Sequence, residues 1–66
     1  MKIILNGQPL TLDDSVSITD LLIDQGYDGK IVAVAINNNF VPKSSYAQTE
    51  LQDNDRVEIV APMQGG

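Results

Sequence analysis

The chain has 66 residues, 42% of them hydrophobic, with nine acids against four bases and neither Cys nor His. A chain this short forms one domain and buries only roughly 60% of the surface its unfolded form exposes, which leaves no room for a deep catalytic cleft. The net charge of −5 opposes binding to nucleic acid or to an anionic membrane, both held through basic patches. The missing Cys and His remove thiolate nucleophiles, disulfides, zinc sites and the commonest general base.

Lys2 to Leu5 reads as a first strand. Asn6-Gly7 follows as a hairpin turn, because both residues tolerate positive φ. Pro9 then opens Leu10-Thr11-Leu12-Asp13, whose alternation predicts a half-buried strand; a Pro at its start suits an edge, where one ladder donor can be spared. Ser17 is placed to cap a helix, with Asp20 three residues on as a short-armed capping-box acid and Val16 and Leu21 at the spacing of a hydrophobic staple. Ile18, Leu21 and Leu22 give that helix one apolar stripe, and Gly26 ends it at C′. The helix is about two turns long, so packing must hold it.

Ile31 to Ile36 is apolar throughout and predicts a strand partly covered on both faces. Asn37-Asn38-Asn39 predicts a turn, Phe40-Val41 a short returning strand, and Pro42 its end. Lys43 to Gln52 reads as irregular, anchored by Tyr46 and Leu51. Asp53-Asn54-Asp55 is a tight turn before a last strand, Arg56 to Val60, with Val57 and Ile59 on one face. The order β-β-α-β-β-β, with a connection through the helix long enough for a right-handed crossover, predicts an α+β domain. Its mixed sheet of about five strands carries one helix across one face, the ubiquitin-like β-grasp arrangement. The domain is expected over residues 1–61, with 62–66 as a flexible tail ending in Gly-Gly. Met1-Lys2-Ile3-Ile4-Leu5 stops at Asn6, short of a signal-peptide core, and Ile31 to Ile36 is too short to span a bilayer. With no cysteine, the expectation is a cytoplasmic protein.

The chemistry-bearing patterns are few. Asp53-Asn54-Asp55 lacks the Gly and Glu of a calcium loop and reads as a turn. Asp13-Asp14 are neighbours on a strand end and point to opposite faces. Nothing in the sequence around Lys43-Ser44-Ser45 marks an oxyanion hole or a pocket, and it reads as a polar loop. Phe40 and Val41 are candidates for a partner-contact surface, with core burial equally open for Phe40. Met63, which follows Pro62, is suited to an adaptable contact. The ending Gln64-Gly65-Gly66 lacks bulk, so it could thread into a partner's site; by itself, a glycine pair at a chain end is more often incidental.

Four stretches, in order, resemble the ThiS family of sulfur-carrier proteins of thiamine thiazole synthesis: Ile3-Ile4-Leu5-Asn6-Gly7, Val32-Ala33-Val34-Ala35-Ile36-Asn37, Phe40-Val41-Pro42-Lys43, and Asp55-Arg56-Val57-Glu58-Ile59-Val60 running into Gly65-Gly66. Together they cover nearly the whole chain. Two positions depart from the family's usual pattern, Tyr46 where Trp often stands and Asn54-Asp55 where Gly-Asp often stands. The resemblance implies a carrier and cosubstrate, not an enzyme. The Gly66 carboxylate would be adenylated from ATP, with Mg, by an E1-like adenylating enzyme. A persulfide sulfur donor such as a cysteine desulfurase would then displace AMP. The resulting thiocarboxylate would pass its sulfur to a thiazole synthase, with Gly65, Gln64 and Met63 threading into the partner. This chain would bind no cofactor, and it has no phosphate loop of its own. Related carriers serve molybdopterin synthesis, so another sulfur pathway stays open. So do a plain ubiquitin-like interaction module and a modifier joined to lysines.

Overall fold

The structure, a computed structural model, describes residues 1–61. Its elements are β1 (Lys2–Leu5), β2 (Gln8–Thr11), α1 (Ile18–Asp24), β3 (Ala33–Ile36), β4 (Asn39–Val41) and β5 (Arg56–Val60), with a 3₁₀ turn at Lys43–Ser45. The strands form one sheet in the order β2-β1-β5-β3-β4. The last strand is thus inserted at the centre, parallel to β1 and antiparallel to β3, while the two hairpins supply the flanks.

Local chemistry sets the helix ends. The Ser17 side chain accepts a hydrogen bond from the Asp20 amide at 3.1 Å, which satisfies one of the free N–H groups of the first turn. At the other end Tyr27 N–H donates to the Leu22 carbonyl at 2.8 Å and Gly26 N–H to the Ile23 carbonyl at 3.2 Å. These are the paired bonds of a Schellman motif, and Gly26 takes the φ of +87° that the motif demands. Ile18, Leu21 and Leu22 pack the helix onto Ile3, Val34, Val57 and Ile59 of the sheet, with Tyr46 and Leu51 closing the core as expected. The Tyr46 hydroxyl donates to the Val32 carbonyl at 3.3 Å.

Four boundaries differ from the sequence expectation, one of them the start of β4, which takes in Asn39, paired with Ile36, from the expected turn. The second strand begins at Gln8 and ends at Thr11 rather than running from Pro9 to Asp13. Gln8 pairs with Leu5, and beyond Thr11 only Leu12 is still bonded, exchanging two 2.7 Å hydrogen bonds with Met1 at the chain start. The third strand begins at Ala33, not Ile31, because Val60 at the end of β5 is registered with Ala33 and none of the described residues pairs with earlier ones; Ile31 is 78% exposed. Nor is that strand covered on both faces. Val34 is buried, whereas Ala33 is exposed on a face that no second layer of the described residues covers. Pro9 does lie on an edge strand, as predicted. The opposite edge, β4, has only three residues and stops before Pro42, so both edges are blunted against further pairing.

Candidate functional site

Gly66, Gly65, Gln64 and Met63 lie outside the described residues, as does the boundary expected at residue 62. The structure describes the surface from which they continue. β5 is the centre of the sheet, and its inward residues Val57 and Ile59 are buried while Arg56, Glu58 and Val60 are exposed. Ala61 follows immediately. The strand that precedes the Gly pair is therefore paired on both sides, with β1 and with β3.

Beside this exit the outer sheet face carries a shallow depression of about 410 Å³ lined by Asn6, Ala33, Ala35, Phe40, Glu58 and Val60. Register explains its shape. Ala35 lies between Phe40 on β4 and Glu58 on β5, and Ala33 lies opposite Val60. Two alanines make a low floor between larger walls. Phe40 is 70% and Val60 63% exposed, so the depression presents two large apolar side chains at its walls. The structure brings Phe40 but not Val41 to this surface: adjacent strand residues point to opposite faces, and Val41 packs against the core. Val60, Ala33 and Ala35 were not singled out from the sequence. The alternation of β5 points Val60 outward, but which residues stand beside it follows from register alone.

The acidic turn takes no part in a site of this kind. Asp53 accepts from the Lys2 amide at 2.8 Å. Asp55 accepts from the Asn37 side-chain amide at 3.0 Å and from the Gln52 amide at 2.7 Å. Asn54 sits at φ +73°, a conformation open chiefly to Gly and Asn, which is why Asn can stand where Gly is common. Among the described residues, no group of three or more His, Cys, Asp or Glu is placed to hold a metal ion. None of their helices is long and apolar enough to cross a membrane.

A five-stranded mixed sheet with one helix across its inner face, and a central last strand leading off the sheet, defines a ubiquitin-like β-grasp domain. A model of the ThiS family matches residues 3–66, and the chain belongs to that family. It is similar, at 38% identity over 94% of its length, to the sulfur carrier protein ThiS of Bacillus subtilis, of which it covers 96%. The structure of the thiamine biosynthesis protein ThiS from Geobacter metallireducens superposes with a TM-score of 0.85 at 30% identity, with all of both chains covered. The chain is also 44% identical, over all of its length, to part of a thiazole synthase of Paramagnetospirillum magneticum; it spans 20% of that protein. A thiazole synthase of Magnetococcus marinus matches in the same proportion at 35% identity.

Proposed function

We propose that this chain is a sulfur carrier of thiamine biosynthesis that works through the Gly66 carboxylate. The observation that supports the reading most directly is that the family match runs through Gly65 and Gly66 to residue 66. A carboxylate is a poor electrophile. Adenylation by an E1-like enzyme makes a mixed anhydride of Gly66 and AMP, with pyrophosphate leaving from ATP. Attack by a persulfide sulfur then expels AMP, and reductive cleavage of the remaining S–S bond by a thiol leaves a thiocarboxylate. A cysteine desulfurase is the natural class of donor, and a thiazole synthase the acceptor of the sulfur. Two thiazole synthases that contain a segment like this chain support that choice of acceptor over molybdopterin synthesis.

The chain acts as a cosubstrate. ATP and Mg²⁺ belong to the activating enzyme, and the carrier contributes a narrow Gly-Gly end and a docking face. The face proposed is the Phe40–Val60 depression. Its apolar walls would offset the ordering entropy of the glycines on binding.

The test is intact-mass analysis after incubation with ATP, Mg²⁺, the activating enzyme and a persulfide donor. The expected result is a gain equal to one oxygen replaced by sulfur, located in the C-terminal peptide. An unchanged mass with enzyme and donor shown to be active would refute the reading. A second expectation concerns the docking face. Phe40→Ala is expected to raise the KM of the activating enzyme for the carrier by about ten-fold, the cost of truncating one apolar anchor. Its thermal unfolding should change little, since the ring is mostly exposed. An unchanged KM would remove Phe40 from the interface.

A further inference from the structure

The parallel ladder between β1 and β5 is short. It pairs Ile4 with Arg56 and Leu5 with Val57. Its bonds include Ile4 N–H to the Asp55 carbonyl and Asn6 N–H to the Val57 carbonyl, both 2.9 Å. A parallel ladder would continue with Ile59 N–H donating to the carbonyl of residue 6 and the amide of residue 8 donating to the Ile59 carbonyl. It cannot do so here. Asn6 at φ +49° and Gly7 at φ +82° turn the chain away, and Gln8 is already paired with Leu5.

The Asn6 side chain fills the gap. Its Oδ1 accepts from Ile59 N–H at 2.8 Å, and its Nδ2 donates to the Ile59 carbonyl at 3.3 Å. One side-chain amide thus meets both groups that two further backbone residues would have met. Strand residues turn their polar groups to alternate sides. With Ile59 turned toward β1, Val60 turns toward β3, where it is registered with Ala33. The last two residues of β5 are therefore held from opposite sides.

We propose that Asn6 is a positioning residue that clamps the end of β5, so that the chain leaves the sheet toward Gly66 from a fixed point. The part concerning Gly66 rests on the carrier function proposed above. Few residues could do this. Asn tolerates positive φ and carries a donor and an acceptor in the geometry of a peptide group. Asp lacks the donor. Gly keeps the φ but has no side chain. Chain segments near an end fray unless tied down, and a frayed strand end must be ordered again each time the carrier docks. Asn6 also borders the outer-face depression, so the clamp sits where the activating enzyme is proposed to dock.

The test compares the full chain with Asn6→Gly and Asn6→Asp. Backbone ¹⁵N relaxation is read at Ile59, Val60 and Ala61, and adenylation kinetics are followed by pyrophosphate release at a temperature where all three proteins are folded. Asn6→Gly is expected to lower the order of all three amides. It should raise KM for the carrier at least about five-fold, because both hydrogen bonds to Ile59 are lost, with kcat within roughly two-fold of wild type. Asn6→Asp keeps the bond to Ile59 N–H and should fall between the two. A purely structural role would lower the unfolding temperature and leave KM alone. Unchanged order at Ile59–Ala61 in Asn6→Gly overturns the clamp, and lost order with unchanged KM overturns its use in docking. If wild type itself is not adenylated, the carrier function fails, and the relaxation data alone then uphold or overturn the clamp.

Discussion

Deleting Gly66 is expected to abolish sulfur loading while leaving the unfolding transition where the full chain has it. The described fold ends its last strand at Val60, and the core of the described residues is assembled between Ile3 and Ile59. The chemistry is another matter. Removing one residue withdraws the carboxylate by about 3.5 Å, and a misplacement of about 1 Å in a reacting group already costs on the order of 100-fold. One residue added after Gly66 should fail equally, by replacing the reactive carboxylate with an amide. Intact mass after loading and pyrophosphate release measure both variants. Sulfur loading that survives the deletion would sink the proposal that Gly66 is the carrier atom's site, whatever the fold.

Leu21→Ala is expected to have the largest effect on stability. Leu21 is 1% exposed and sits where α1 meets the sheet. Truncating such a leucine costs about 2–5 kcal/mol through lost transfer energy and the cavity left behind. A chain of this length has a total stability of only about 3–10 kcal/mol at roughly 0.05–0.15 kcal/mol per residue. The variant should therefore be largely or partly unfolded at 37 °C, and urea titration should show a much lower midpoint with little change in slope. Ile23, two residues on and 52% exposed, provides the contrast: Ile23→Ala should stay within about 0.5 kcal/mol of wild type. Equal effects at the two positions would mean that the helix does not bury the face described here.

Much of the architecture was legible in the residues because its causes are local. Ser17, Asp20 and Gly26 mark the helix ends through hydrogen bonds that span three to five residues. Asn6-Gly7 and Asn37-Asn38 mark turns because these residues accept positive φ. The alternation of Val57 and Ile59 marks an inward face. The absence of Cys and His excluded thiolate and imidazole chemistry, and the resemblance to ThiS carriers, not the Gly-Gly ending by itself, pointed to a terminal carboxylate.

What only the tertiary structure decided is everything that depends on which strand lies beside which. The central place of β5, parallel to β1, joins residues more than fifty apart in sequence, and no local pattern specifies such a pairing. The same pairing trims β3 to Ala33, turns Phe40 outward and Val41 inward, and places two alanines between Phe40, Glu58 and Val60. It also turns Asn6 from a turn residue into a clamp on Ile59. The sequence by itself determined the elements and their caps, because propensity and periodicity act over a few residues, while the reading of the chain's end came from the resemblance to ThiS carriers. Tertiary pairing decided the shape of the outer-face depression proposed for docking and the partners of the strand toward Gly66, because hydrogen-bond register and burial exist only once distant strands have met.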